Sequence, residues 1–182
     1  MAKSLTLNLL VLAALLLAAL GGACATNPPS ETGSSPAKEP YAADTYANED
    51  FGFYIKYPKT WKSVEPTAPY CIFRAQAPTQ LPSISISVFD PDKVRDQAQE
   101  IYNYYKLTNV KPLETKLYVL ADGKTQSQYS RTKMTHPDTE IVNYAVTFEK
   151  YGKYINIGIS TVPQAEDAAL YDAIFQTITF YK

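Results

Sequence analysis

Histidine occurs once in the 182 residues, tryptophan once, cysteine and methionine twice each, and glycine 7 times. Each shortage removes a class of chemistry. With His136 alone, and no carboxylate or thiol placed by sequence to complete a triad, an imidazole-based catalytic centre has no second member. His136 stands in the polar segment His136-Pro137-Asp138 and reads as a surface turn residue. No cluster of cysteines and histidines has zinc-ligand spacing. There is no phosphate-cradling glycine loop and no GxSxG elbow. Charge is also scarce in excess of either sign. The 17 Lys and Arg are balanced by 18 Asp and Glu, for a formal net charge of -1. Nucleic-acid binding needs a basic face, which this balance does not supply. No catalytic residue, metal ligand or cofactor is expected.

Long apolar runs are confined to the N-terminus. Lys3 gives a short positive region, and Leu9 to Leu20 is unbroken and apolar. That run has the length of a signal-peptide core and falls short of the ~20 residues of a spanning helix. Small residues Gly21, Gly22 and Ala23 lead to Cys24. Leu20-Gly21-Gly22-Ala23-Cys24 resembles the lipobox of bacterial prolipoproteins. That family usually places Leu three residues before the Cys, where this chain has Gly21. The resemblance implies a lipid on the Cys24 thiol, several acyl chains, and an exported protein anchored to a membrane. Two other readings stay open. Ala23-Cys24-Ala25 fits an A-x-A site that would release a soluble chain, or the segment could remain as an uncleaved anchor.

Residues 25 to about 44 are rich in Pro, Ser, Thr, Ala and Glu and nearly free of large apolar side chains. Such a stretch cannot bury enough surface to offset its ordering entropy. The expected organisation is a signal peptide over 1–23, a flexible tether over 24–45 and one folded domain over 46–182. With Cys24 acylated, Cys71 has no intrachain partner. Its setting in Tyr70-Cys71-Ile72-Phe73 reads as a small buried hydrophobe.

In the domain, Phe51, Phe53, Ile55 and Tyr57 alternate with other residues and predict a strand ended by Pro58. Trp61 to Val64 and Tyr70 to Arg74 suggest two short strands. Ile84, Ile86 and Val88 alternate with Ser85 and Ser87, which predicts a strand with a polar outer face. Asp90-Pro91 then reads as N-cap and first turn of a helix to about Lys106. Val94, Ala98, Ile101 and Tyr105 make one stripe facing a sheet. Strands are expected over Lys116 to Ala121, Gln126 to Met134, Ile141 to Lys150 and Tyr154 to Val162. A helix over Gln164 to about Gln176 and a short strand at Ile178 and Phe180 complete the chain. The class is α+β, an antiparallel β-sheet flanked by helices.

Phe51-Gly52-Phe53-Tyr54-Ile55-Lys56-Tyr57-Pro58-Lys59-Thr60-Trp61 resembles the opening of PsbP-like domains, roughly G-F-x-I-x-Y-P-x-G-W, with Thr60 in place of Gly. Tyr144 to Phe148, Tyr154 to Ile157 and Phe175 to Phe180 are similar to the closing hairpin, helix and strand of that family, with Thr177-Ile178-Thr179 in place of its Ser-Phe region. The resemblance covers about Asp50 to Lys182. It implies an α/β/α sandwich around an antiparallel sheet. Accessory proteins of photosystem II, small-GTPase binders and bacterial lipoproteins share that fold, so no functional residue can be carried over.

Three functions compete. A membrane-tethered, non-catalytic module that binds an envelope protein leads, with Tyr104 as the candidate partner-binding residue because it points off the helix stripe. A flat, exposed aromatic face would favour it. A lipoprotein binding a small molecule in an aromatic-lined pocket is the alternative, favoured by a deep apolar pocket. A hydrolase ranks last and would need a buried carboxylate pair in a cleft. Asp92, Asp96 and Glu100 read as a solvated helix face rather than a cation site.

Overall fold

The structure is a computed structural model and describes residues 41–181. The signal peptide, Cys24 and nearly all of the tether lie outside the described residues. The class is α+β, with two antiparallel sheets where the sequence suggested one. In the small sheet, β2 (Phe53–Pro58) lies between β1 (Ala43–Asn48) and β10 (Thr179–Phe180). β1 was not anticipated, and it draws Ala43, Asp44 and Thr45 out of the presumed tether by pairing them with Pro58, Tyr57 and Lys56. Pro58 tolerates its place because it is the last residue of its strand.

The large sheet has seven strands in the order β3 (Lys62–Val64), β4 (Cys71–Gln76), β5 (Ser83–Phe89), β9 (Lys153–Thr161), β8 (Thr139–Lys150), β7 (Gln126–His136) and β6 (Thr108–Val119). Strands β6 to β9 form a meander joined by tight turns. At the β8–β9 turn Tyr151 and Gly152 have φ of 49° and 68°, the paired positive angles of a type I′ hairpin. At the β6–β7 turn Asp122 Oδ1 accepts the N–H groups of Lys124 at 2.9 Å and Thr125 at 2.8 Å.

The connection from β5 to β6 is the exception to this local pairing. Four antiparallel steps separate the two strands, so they run parallel and lie about 19 Å apart at the usual strand spacing. Helix α1 (Val94–Tyr104) makes the crossing. Its 11 residues supply about 16 Å of reach. Helix α2 (Ala168–Phe175) sits on the opposite face with the small sheet, and a 3-10 turn at Pro163–Ala165 replaces the expected first turn of that helix. Asp167 caps α2 by accepting the Leu170 N–H at 3.0 Å.

The core fills the space between the two sheets. Ile84, Ile86, Ile155, Ile157 and Ile159 are all 0% exposed and line one face of the large sheet. Each contributes roughly 1.5–3 kcal/mol by full burial. Phe53 and Ile55 of β2 and Tyr171, Ile174 and Phe175 near or on α2 face them. Phe53 meets Phe148 edge to face at 6.0 Å, and Tyr46 stacks on Phe73 at 4.1 Å. Trp61 is buried in the same cluster. Thr177, a departure from the PsbP-like pattern, accepts the Lys56 N–H at 2.9 Å and donates to the Ile174 carbonyl at 2.7 Å, which ties the end of α2 to β2.

Two expectations around α1 are corrected. Asp90 does not cap the helix, whose N-cap is Lys93 without a side-chain bond. The Asp90 carboxylate instead receives the Lys153 ammonium and the Gln97 amide, the latter at 3.3 Å. Lys153 opens β9 beside the end of β5 and draws the carboxylate away from the helix start. The Lys153 hydrogen bond also holds the Asp90 carboxyl below its usual range. The serine face of β5 is not an outer face either. Ser83 and Ser87 are buried, and the face lies under α1.

Candidate functional site

The face of the large sheet opposite the isoleucines has an unusual composition. Strand pairing sets its side chains in rows that cross five strands. The central row is Ser85, Gly158, Ala145, Ser130 and Thr115. One flanking row is Ser87, Asn156, Thr147, Gln128 and Leu117. The other is Ser83, Ser160, Asn143, Thr132 and Pro112. The middle row is the smallest. Between taller neighbours it forms a trough, and α1 roofs it with Val94, Ala98, Ile101, Tyr102 and Tyr105.

A cleft of about 210 Å³ results. The helix does not close it: within α1 only Gln97 is buried, and the stripe residues remain half-exposed. The stripe therefore faces the sheet as expected, but across a gap rather than into a core. Burial pushes the Tyr102 and Tyr105 phenols up, so both stay neutral donors at physiological pH.

The trough walls are braced by cross-strand hydrogen bonds. The Asn156 amide donates to the Thr147 hydroxyl at 2.8 Å, and the Ser160 hydroxyl donates to Asn143 Oδ1 at 3.0 Å. Gly158 leaves room for this arrangement. A Cβ there would meet Asn143 Oδ1 at 3.2 Å, closer than ordinary contact. None of the described residues lining the cleft is Asp, Glu, Lys, Arg, His or Cys. The carboxylate pair that a hydrolase would need is not in it. Hydrogen bonding is the chemistry these side chains offer.

A second polar cluster lies on the other side, between β7, β8 and the approach to α2. Glu166 Oε1 accepts from Arg131 Nε at 2.9 Å and Nη2 at 2.5 Å, and from the Tyr144 hydroxyl. The Tyr144 bond, then Arg131, holds the Glu166 carboxyl below its usual value. Burial and the acceptance by Glu166 raise Tyr144. Nearby, the Tyr118 hydroxyl donates to Asp172 at 2.7 Å and accepts from Gln176 at 2.6 Å. These contacts join the large sheet to α2 and its approach.

The residues singled out from sequence are scattered. Tyr104 is 46% exposed and points off the cleft side of α1, where its hydroxyl donates to Thr67 at 2.8 Å. Other exposed tyrosines, Tyr151 and Tyr181, lie at the β8–β9 turn and the C-terminal end, where Lys150 stands over the rings of Tyr151 and Phe180 and Tyr54 stacks on Tyr181 at 6.3 Å. Cys71 is half-buried, its thiol donates to the Phe73 carbonyl at 3.2 Å, and burial raises its pKa. Such a thiol is a poor nucleophile. His136 ends β7 at the turn. The trough residues were missed, although a signal was present. Asn143-Ala145-Thr147 and Asn156-Gly158-Ser160 alternate as strictly as the apolar residues between them. A solvent face of that length would ordinarily carry charge.

No family model matches the sequence, and no curated protein matches it. Solved structures do. Cyanobacterial PsbP (CyanoP) from Synechocystis sp. PCC 6803 aligns with a TM-score of 0.56 and 16% identity over 82% of this chain and 98% of that one. The fold is PsbP-like. A protein of Bacteroides thetaiotaomicron aligns with a TM-score of 0.51 and 16% identity, over 76% of this chain and 48% of its own. LpqN of Mycobacterium tuberculosis, involved in cell envelope biogenesis, aligns with a TM-score of 0.43 and 15% identity over 80% of this chain and 88% of that one. The PsbP-like fold places α1 on one side of the large sheet and α2 with the small sheet on the other. At these identities it establishes architecture and leaves function to the site. Among the described residues no helix is long and apolar enough to cross a membrane.

Proposed function

We propose that the protein is an exported, lipid-anchored binding module, without catalytic activity, that holds a small polar ligand in the cleft beneath α1. The observation that carries this reading is the trough itself, a half-open concave surface of hydrogen-bonding and apolar side chains with no Asp, Glu, Lys, Arg, His or Cys in its lining. Proton transfer and nucleophilic attack near neutral pH need groups that titrate there or are activated by a base. Ligand retention needs only placed donors and acceptors in a concave site. The cleft is smaller than the roughly 300 Å³ at which drug-sized sites begin, which suits a small or narrow ligand. Cys24 supplies the anchor in this reading, and the segment after it the distance from the membrane.

A second reading, docking of an envelope protein, is favoured by Leu117 and Val119. They are 67% and 47% exposed on the free edge strand β6, on the same sheet face as the trough. The two readings separate in a fluorinated-fragment screen by NMR on the detergent-solubilised full chain. Fragments that shift the amide signals of Ala145, Gly158 and Ser130 support the cleft. Fragments that cluster only at Leu117 and Val119, or none at all, would overturn it in favour of the second reading.

A further inference from the structure

We infer that the trough takes a neutral, hydroxyl-rich chain, a short oligosaccharide, and this rests on the small-ligand reading above. Three features lead to that class. The first is charge. Phosphate, sulfate and carboxylate ligands are held by guanidinium, ammonium or convergent backbone N–H groups, and the cleft lining offers no cationic side chain. The second is the floor. Serine, threonine and asparagine there would have to give up water for an acyl chain and receive no hydrogen bond in return. A polyol replaces each lost water bond with one of its own.

The third feature is shape. The small row Ser85-Gly158-Ala145-Ser130-Thr115 crosses five strands, so the trough is about 19 Å long and a single row wide. That outline suits a linear chain that seats part of its length in the 210 Å³ beneath α1 and lets the rest run out of the open cleft. Above it stand Tyr102 and Tyr105, which combine an apolar ring face with a hydroxyl. Sugar rings present the same pairing, C–H groups on their faces and hydroxyls around the rim. Asn143, whose oxygen accepts from Ser160, stands beside Gly158. Gln128 stands on the opposite wall.

The test uses the full chain in an amine-oxide detergent, which carries no sugar headgroup. Glucose, maltotriose, cellotriose, chitotriose and a long soluble dextran are titrated, with glucose 6-phosphate, trigalacturonate and dodecanoate as contrasting probes. Shifts of Gly158, Ala145 and the Asn143 side-chain amide are read by NMR. At least one neutral trisaccharide should saturate these signals, more tightly than glucose. Asn143→Ala should weaken it about 5-fold, the loss of one neutral hydrogen bond. Gln128→Ala provides the same reading should the first variant fail to fold. Dextran binding alongside the trisaccharide supports a polymer chain as the source, and trisaccharide alone a free oligosaccharide. Binding of only the charged or acyl probes overturns the ligand class and leaves the cleft as a site. Silence from every neutral sugar, with fragments still shifting the cleft signals, overturns the class alone. Silence from sugars and fragments together removes both.

Discussion

Replacing Glu166 tests whether the Arg131–Tyr144–Glu166 cluster acts as one unit. Tyr144 is 3% exposed, and its hydroxyl donates to Glu166. Glu166→Ala leaves that hydroxyl buried without its acceptor, which costs about 1–3 kcal/mol. It also frees Arg131. That side chain is 33% exposed, so water screens the loss to about 0.5–1 kcal/mol. The expected sum is about 1.5–4 kcal/mol. Tyr144→Phe alone removes one charge-assisted bond, for about 1.5 kcal/mol. In the double variant no hydroxyl is stranded, so its cost should fall short of the sum of the singles by about 1–2 kcal/mol. Urea unfolding followed by fluorescence of the sole, buried Trp61 reads these differences. The pH dependence is a second constraint. The folded Glu166 carboxyl lies below its unfolded value, so its contribution is present above about pH 4.3 and is lost as pH falls through the folded value. The advantage of the native chain over Glu166→Gln should therefore shrink between pH 7 and pH 3. Additive costs in the cycle, or an advantage unchanged by acid, would refute the coupling.

Two further outcomes are expected. Gly152→Ala places a Cβ in open space but at a φ of 68°, so it should cost about 1 kcal/mol in the same urea titration through backbone strain alone. Cys24→Ala, compared with the native chain by intact mass from the membrane fraction of the host, should lose both a diacylglyceryl adduct and membrane retention. A native chain that begins at Thr26 in the soluble fraction would instead establish release after Ala25.

Most elements could be read from sequence where periodicity was strict. Ile84, Ile86 and Val88 predicted their strand, and the strands expected over Gln126 to Met134, Ile141 to Lys150 and Tyr154 to Val162 all formed close to those bounds. β1 escaped because its buried neighbours come from β2, and nothing in Ala43 to Asn48 alternates strongly on its own. The Asp90 cap failed for a related reason, since Lys153, distant in sequence, competes for the carboxylate. The site was the least readable part. Its residues are small and uncharged, and each strand contributes only a few. Their alignment across five strands follows from register, which local sequence does not specify. Tyr104, chosen for standing off its helix stripe, is joined to Thr67 and lies away from the trough.

The crossing between β5 and β6 has a consequence for the order of folding. β6 to β9 can zip as consecutive hairpins, each closing a short loop. β5 must wait for β9, because the whole of α1 and the first three meander strands separate them in the chain. Closing that long loop is the entropically slow step. Until it occurs, the Ile84–Ile86 side of β5 and the isoleucines of β9 are both uncovered, and each offers an unpaired strand edge. The half-folded chain is thus stickiest along the seam where its core will lie.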